Sequence, residues 1–129
     1  MHRKLKIAFA MLAGMAIGIG GAAVIHAQQA KAAAGYIIAE VDVKDAPTFQ
    51  KYAAQVPPTM APFGGHDLVR GGKAEALEGE APKRIVVIKF DSVEKARAWY
   101  NSPAYDAIKG LRINSTNSRL ILVEGVPGE

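Results

Sequence analysis

The 129-residue sequence contains no cysteine, which excludes disulfide bonds, thiolate metal sites and cysteine nucleophiles. It also lacks a Gly-x-Ser-x-Gly motif and a lysine-bearing glycine loop, so serine hydrolases and phosphate-loop proteins are excluded as function classes. Histidine is scarce, because only His66 remains beyond His2 and His26 near the N-terminus. One histidine with scattered carboxylates does not build a metal site, and we predict no metal and no cofactor.

The N-terminal region lacks acidic residues and then lacks charge altogether. Residues 2–6 are His-Arg-Lys-Leu-Lys, and residues 7–25 carry no charge. This order predicts a signal peptide over residues 1–27, or cleavage after Ala32 at a second site, and hence a periplasmic or secreted protein with no membrane segment. An uncleaved anchor is the alternative, because residues 7–25 approach bilayer-spanning length. Residues 28–34 then form a short tether.

The positive charge of the whole chain does not persist in its mature part. Three of the 16 Lys and Arg residues lie in the leader, which leaves 13 against 12 Asp and Glu in residues 28–129. A nearly neutral domain has no basic stripe to neutralise phosphates, so nucleic-acid binding is excluded as a function.

From residue 35 onward the hydrophobic pattern alternates between strand and helix periods. Residues 35–43 predict a strand, and Asp45 then predicts the N-cap of a helix that bends at Pro57-Pro58 and ends at Gly64-Gly65. Its apolar stripe is Phe49, Tyr52, Ala53, Val56 and Met60. A second strand is expected over residues 67–70 and 73–77, with a glycine bulge between the two parts.

The second half repeats this order. Residues 84–90 predict a strand in the middle of the sheet, and Asp91 predicts the cap of the next helix. That helix breaks at Asn101-Ser102-Pro103 and restarts, after which residues 114–117 predict a loop and residues 120–123 a last strand.

The element order predicts an α+β class, ferredoxin-like βαββαβ fold, with a four-stranded antiparallel sheet and two helices on one face. The other face carries apolar residues, including Tyr36 and Ile38 of the first strand. Such a face needs a cover, and we expect a second copy of the chain to supply it in a homodimer.

Three segments carry a family resemblance: 64–72 (Gly-Gly-x-x-Leu-Val-Arg-Gly-Gly), 96–105 (Ala-Arg-Ala-Trp-Tyr-x-Ser-Pro-x-Tyr) and 123–125 (Val-Glu-Gly). With them, residues 35–125 resemble the DUF1330 family, and residues 126–129 form a tail. The resemblance implies a dimeric α/β barrel in a superfamily that includes cofactor-free monooxygenases, muconolactone isomerases and EthD-like proteins. The family itself has no settled activity. One departure is His66-Asp67, where the family pattern has a basic residue and an aromatic.

Two residues of the last predicted helix are candidates for ligand binding. Tyr105 and Arg112 are seven residues apart, about two helical turns, and therefore share a face. A phenol and a guanidinium on one face hold a carboxylate or an enolate. The alternative is that Tyr105 packs on the sheet and Arg112 caps the helix C-terminus.

Arg70 and Trp99 complete the candidate ligand-binding set. Arg70 either projects into a cavity or pairs with Asp67 or Glu40 at its rim, and Trp99 lies in the core or at the edge of the cavity. His66 and Tyr105 are candidates for moving a proton. A surface position is the alternative for His66, since neighbouring strand residues point to opposite faces and Asp67 would not orient it.

Three functions fit these residues. We predict a homodimeric module that binds a small acidic or aromatic ligand. A cofactor-independent oxygenase or isomerase on the same scaffold is the alternative. A purely structural or partner-binding dimer is the third, and it predicts no cavity of ligand size.

Overall fold

A computed structural model describes residues 32–129, whose four strands form one antiparallel sheet in the order β2-β3-β1-β4. In chain order the elements are β1 (Gly35–Val43), α1 (Ala46–Met60), β2 (His66–Arg70), β3 (Ile85–Phe90), α2 (Val93–Tyr100), α3 (Pro103–Ser115) and β4 (Thr116–Glu124). The predicted α+β class and ferredoxin-like order are confirmed, with the third strand inside the sheet.

The N-terminal predictions fall outside this region. The predicted signal peptide, residues 1–27, and residues 28–31 of the predicted tether lie outside the described residues. Within residues 32–129, no helix is both long enough and apolar enough to cross a membrane.

Helix α1 begins where the sequence predicts it. The Asp45 carboxylate accepts hydrogen bonds from the hydroxyl and the backbone N–H of Thr48, at 2.7 and 3.3 Å, and so caps the first turn. These two bonds lower the pKa of Asp45. The helix runs through Pro57 and Pro58 to Met60 and tightens into a 3-10 turn that ends at Gly64, whose φ is 71°.

The connection between β2 and β3 differs from the prediction. We expected residues 73–77 to continue the second strand, but β2 ends at Arg70 and residues 71–84 contain no helix or strand. The bulge lies earlier, between Asp67 and Val69. Lys, Ala and Glu favour strands weakly, and residues 73–77 have no strand beside them to pair with, so their alternation alone does not form one.

Two boundaries of the second half also differ. The N-cap of α2 is Ser92, whose Oγ accepts from the backbone N–H of Lys95 at 3.1 Å, and not Asp91 as predicted. A hydroxyl in extended backbone geometry fits this position as well as a carboxylate does. Asp91 lies 3.6 Å from the Lys95 ammonium instead.

The predicted loop over residues 114–117 is absent, because α3 ends at Ser115 and β4 begins at Thr116. The hydroxyls of Ser115 and Thr116 allow the helix to end directly at the strand, with no loop between them. Ser115 Oγ donates to the carbonyl of Leu111 at 2.6 Å, and Thr116 Oγ1 donates to the carbonyl of Arg112 at 2.7 Å. Carbonyl groups at the helix end are thus satisfied within the last turn.

The predicted helix break is confirmed. Ser102 separates α2 from α3, and its Oγ accepts from the backbone N–H of Tyr105 at 3.2 Å as the N-cap of α3. The same hydroxyl donates to the carbonyl of Trp99 at 2.7 Å, which closes the end of α2. Three helices therefore stand where two were predicted, because one predicted helix is in two pieces.

Alternation along the strands divides the sheet into two faces. The helix face packs under the helices and carries Ile37, Ala39, Val41, Val86, Ile88, Phe90, Leu120 and Leu122. The outer face carries the alternate residues, of which the apolar ones include Tyr36, Ile38, Val69, Val87, Ile121 and Val123. Ile121 is 49% exposed on the outer face, whereas Phe90 on the helix face is 0% exposed.

Candidate functional site

A cavity of about 60 Å³ lies between α1 and the helix face of the sheet. Its apolar and aromatic lining residues are Ile37, Ala39, Phe49, Tyr52, Ala53, Val56, Pro57, Val86, Ile88, Trp99 and Leu120. Its charged lining residues are Asp67, Arg70, Arg84 and Arg112. A mostly apolar enclosure with a few polar groups is the usual form of a small-ligand site. Of the predicted ligand-binding residues, Arg70, Trp99 and Arg112 line this cavity.

Arg112 is the buried cation of the site. It is only 6% exposed, and its Nε donates a hydrogen bond to the hydroxyl of Tyr105 at 3.3 Å. One of its terminal nitrogens donates to Ser118 Oγ on β4 at 2.6 Å. Within residues 32–129, Arg112 forms no ion pair with a carboxylate. Its partners are therefore neutral hydroxyl groups, which leave its charge uncompensated.

The protonation of Arg112 follows from these partners. Burial by itself lowers the pKa of the guanidinium, since a low-dielectric environment disfavours the charged form. The phenol oxygen of Tyr105, and more weakly those of Tyr52 and Tyr100, act in the opposite direction and prevail, so the pKa is raised. Arg112 is thus a permanent positive charge at the wall of an apolar cavity.

Tyr105 lies behind the cavity wall and joins Arg112 to Tyr52. It is 0% exposed, its ring centroid is 4.2 Å from that of Trp99, and its hydroxyl is 2.8 Å from that of Tyr52. Burial, and then the electrostatic influence and the hydrogen bond of Tyr105, raise the pKa of the Tyr52 phenol far above its ordinary value. Tyr52 therefore stays protonated across the physiological range.

Arg84 reaches the cavity from the β3 side of β1, whereas Arg112 is anchored on the β4 side. Its backbone carbonyl accepts from the N–H of Val41 at 2.9 Å, and Val41 pairs on its other side with Ser118, the partner of Arg112. The guanidinium lies over the Phe49 ring, 5.4 Å from its centroid, in a cation–π contact. Among the buried side-chain nitrogen and oxygen atoms of residues 32–129, Arg84 Nε alone lacks a hydrogen-bond partner.

Arg70 and Asp67 form an ion pair at the same cavity. The Arg70 Nε and a terminal nitrogen lie 2.8 and 2.6 Å from Asp67 Oδ2, which selects the Asp67 partner among those predicted. Arg70 itself is exposed. The lining therefore holds three guanidinium groups and one carboxylate, and that carboxylate is already paired.

Trp99 closes the inner end of the site. It is 0% exposed, its Nε1 donates to Thr59 Oγ1 of α1 at 3.0 Å, and its ring contacts Phe90 with centroids 5.6 Å apart. The indole N–H is thus used within the protein. Trp99 therefore offers the cavity an apolar aromatic surface.

His66 lies on the outer face and is exposed. In the strand register it stands opposite Lys89, whereas the next residue, Asp67, stands opposite Ile88 and lines the cavity. Consecutive strand residues point to opposite faces. The structure therefore brings Tyr105 and Arg112 together but does not bring His66 to the cavity.

Two lining residues were missed in the sequence analysis, Tyr52 and Arg84. Tyr52 was counted only as part of an apolar helix stripe, although a buried phenol needs a hydrogen-bond partner and so signals a polar contact in the core. Arg84 was placed at the start of a buried strand, where a charged side chain beside five apolar residues is itself a signal. Neither the buried phenol nor the strand arginine indicates, from the sequence alone, which residue it contacts.

A family model described as "Domain of unknown function (DUF1330)" matches residues 34–126. No curated protein matches the chain. Within residues 32–129, no group of three or more His, Cys, Asp or Glu residues is arranged to hold a metal ion.

Several solved structures share the fold. A protein of unknown function from Rhodopseudomonas palustris is 18% identical, with a TM-score of 0.61, and the match covers 80% of this chain and 92% of that one. A dimeric ferredoxin-like protein of unknown function from Thermobifida fusca is 13% identical, with a TM-score of 0.50 and coverage of 72% and 92%. A proposed antibiotic biosynthesis monooxygenase from Nitrosomonas europaea is 12% identical, with a TM-score of 0.50 and coverage of 73% and 98%. At these identities the likeness shows the fold alone.

Proposed function

The chain belongs to the DUF1330 family, and from this premise and the geometry of the cavity we propose that it is a binding module for a small carboxylic acid with an apolar or aromatic tail. The carboxylate end of the ligand lies against Arg112, and the tail lies among the aliphatic and aromatic side chains of α1 and the sheet. No residue of the chain has to act as a catalyst in this function.

The observation that carries this proposal is the buried guanidinium of Arg112 without a carboxylate partner. Removing a cation from water costs several kcal/mol, by general estimates about 3–5 kcal/mol when its charge is left uncompensated. A chain that retains such a group at a cavity wall gains from it when an anion arrives. Arg84, with its unpartnered Nε, adds a second cation to the lining of the same cavity.

The size of the cavity restricts the ligand. A volume of about 60 Å³ holds a carboxylate group with a few carbon atoms. An apolar cavity of about 150 Å³ is known to take benzene, so an aromatic acid requires this cavity to widen. Arg84 is the side chain that we expect to move, because no hydrogen bond fixes its Nε and its guanidinium is held by packing against the Phe49 ring and Gly71.

The proposal is tested by titrating the protein with propionate and with benzoate, and with the uncharged propionamide and benzamide as ligand controls, while following backbone NMR shifts. We expect saturable shifts around the cavity with the acids and none with the amides. In Arg112→Met the acids bind about ten- to a hundredfold more weakly, because a charge-assisted hydrogen bond is lost. The variant stays folded, since an apolar side chain of similar length suits this burial.

Arg97→Met is the matched control, because it removes the same charge from an exposed position on α2. It leaves the acid titration unchanged. Equal weakening in Arg97→Met and Arg112→Met, or equal binding of propionate and propionamide, contradicts a carboxylate site at Arg112.

The assembly and the location of the protein belong to the same proposal. The exposed apolar residues of the outer face support a homodimer in which two sheets cover each other. The fold shared with the dimeric protein from Thermobifida fusca supports it further. Residues 1–27 support export to the periplasm or beyond. Mass spectrometry of the protein from fractionated cells tests export, and we expect a mature N-terminus at Gln28; an intact Met1 in the cytoplasm contradicts it.

A cofactor-independent oxygenase or isomerase is the second candidate function. The fold shared with the proposed monooxygenase from Nitrosomonas europaea favours it. The cavity offers Tyr52 and Arg112 to a reacting oxygen, but the raised pKa of Tyr52 keeps this phenol protonated, so it can donate a hydrogen bond to that oxygen and cannot act as a base. An oxygen electrode with dihydroxybenzoate substrates tests the oxygenase. Uptake of oxygen that Tyr52→Phe abolishes supports an enzyme over a binding module.

A further inference from the structure

The hydrogen bonds behind the cavity have a direction that Arg112 determines. A guanidinium has five N–H donors and no acceptor, so the Tyr105 oxygen must accept the bond from Arg112 Nε. The hydroxyl of Tyr105 still has its own proton to place. Its ring and hydroxyl are fully buried, and a buried donor without a partner costs free energy.

Only one acceptor is present for that proton. Within residues 32–129, the hydroxyl of Tyr105 has two hydrogen-bond partners, Arg112 Nε and the Tyr52 hydroxyl at 2.8 Å. Since Arg112 cannot accept, Tyr105 donates to the Tyr52 oxygen. The chain of bonds therefore runs from Arg112 to Tyr105 to Tyr52, and the Tyr52 oxygen is an acceptor within it.

The proton of Tyr52 is consequently left over. Among the described residues, the hydroxyl of Tyr105 is the one acceptor within hydrogen-bond distance of the Tyr52 hydroxyl, since Arg112, which also acts on this phenol, can only donate; the Tyr52 side chain lines the cavity. We propose that the Tyr52 hydroxyl donates a hydrogen bond to the ligand, so that one carboxylate oxygen is bound by Tyr52 and the other by Arg112. This rests on the proposed function, and it names Tyr52 as the residue that selects for an oxygen acceptor.

The selectivity of the site follows from the fact that its unpaired polar groups are all hydrogen-bond donors. Tyr52, Arg84 and Arg112 all present donors to the cavity, and the one carboxylate there, that of Asp67, is paired with Arg70. A deprotonated monocarboxylic acid satisfies donors at both oxygens. A primary amine of the same size brings only donors and a positive charge, so the site rejects it. Tyr105 acts as a positioning residue, because it touches Tyr52 and Arg112 but does not line the cavity.

The direction of the bonds is tested first without any ligand. NMR of the protein with carbon-13 tyrosine rings shows which ring carries the hydroxyl proton that is protected from exchange with water. We expect this resonance to correlate with the ring carbons of Tyr105 and to disappear in Tyr105→Phe. Correlation with the ring of Tyr52 means that Tyr52 donates to Tyr105, and it overturns the inference whatever the protein binds.

The second test measures the dissociation constant of propionate. We expect Tyr52→Phe to weaken binding about tenfold, because one hydrogen bond to a charged oxygen is lost. Tyr100→Phe is the matched control. Tyr100 packs against Tyr105 with ring centroids 5.6 Å apart and does not line this cavity, so we expect its hydroxyl to make no hydrogen bond to the ligand.

The outcomes separate this inference from the proposed function. Binding of propionate by the wild type with an unchanged constant in Tyr52→Phe overturns the role of Tyr52 and leaves the carboxylate site at Arg112 in place. No binding by the wild type overturns the proposed function, and the proton of Tyr105 then decides the hydrogen-bond direction alone. An equal loss in Tyr52→Phe and Tyr100→Phe shows a general packing effect and also overturns the role of Tyr52.

Discussion

The two faces of the sheet use neighbouring residues of the same strands for opposite purposes. On the helix face, side chains are enclosed, and the cavity holds Arg112 without an opposing charge. On the outer face, apolar residues such as Ile121 are exposed, and the charged Glu40 and Arg119 pair with each other. The outer face thus combines an exposed hydrophobic surface with the ion pair of Glu40 and Arg119, whereas the helix face encloses its hydrophobic surface together with the uncompensated charge of Arg112.

The difference indicates which kind of partner each face would accept. An enclosed cation suits an anion small enough to enter, whereas an exposed apolar face suits a surface of its own size. A ligand is therefore expected to change the protein little outside the cavity. A second subunit is expected to change the solvent exposure of a whole sheet.

The largest predicted difference between the two faces is in the free energy of unfolding, which we expect a core substitution to lower far more than a substitution on the outer face. Trp99→Ala removes a fully enclosed side chain with its bond to Thr59 and its contact with Phe90, and it lowers the free energy of unfolding by about 3–5 kcal/mol. Ile121→Ala on the outer face lowers the stability of the subunit itself far less, since Ile121 is half exposed there. Urea unfolding at low protein concentration compares the two. Similar losses contradict the distinction between the faces.

A smaller effect is predicted on assembly. Ile121→Asp places a charge on the apolar part of the outer face, and we expect it to raise the dissociation constant of the proposed homodimer at least about a hundredfold, since an unpaired interfacial charge costs about 3 kcal/mol or more. The subunit stays folded, because the helix face is untouched. Sedimentation velocity measures the dissociation and circular dichroism the fold. A wild type that sediments as a monomer at high concentration contradicts the dimer, and an unfolded variant contradicts the independence of the faces.

The smallest effect concerns the titration of Tyr52. Burial raises the pKa of Tyr52 in the folded protein, so the phenol is protonated in both states below about pH 10, the ordinary tyrosine value. Above that pH the unfolded chain loses this proton and the folded chain keeps it. The free energy of unfolding therefore falls by about 1.4 kcal/mol per pH unit more steeply in the wild type than in Tyr52→Phe. Urea unfolding at alkaline pH measures the slopes, and equal slopes contradict an enclosed Tyr52.

Local signals in the sequence predicted most of the fold. Asp45, Ser102-Pro103 and Gly64 each act on the backbone within one or two turns, and the structure has a helix boundary at all three. The prediction over residues 73–77 was wrong, because a strand needs a neighbour as well as alternation. The predicted loop at 114–117 was wrong, because the hydroxyls of Ser115 and Thr116 close the helix end from within.

The site was predictable only in part for the same reason. Tyr105 and Arg112 share one helix, so their spacing predicted that they would meet, and their 3.3 Å contact follows. Tyr52 reaches them from another helix, 53 residues before Tyr105, and Arg84 from another strand. No pattern within one element indicates that such residues converge. Their contribution becomes visible only when the packing of α1 on the sheet is known.

The direct junction of α3 with β4 has a consequence for how the site can change in evolution. Arg112 and its anchor Ser118 are six residues apart with no loop between them, so an insertion or deletion there would move the guanidinium away from its place. The opposite wall carries Arg84 at the end of residues 71–84, an irregular segment in which Leu77 is 89% exposed. Such a segment tolerates changes of length. Relatives that take ligands of other sizes are therefore expected to differ in this segment and to retain the helix-strand junction.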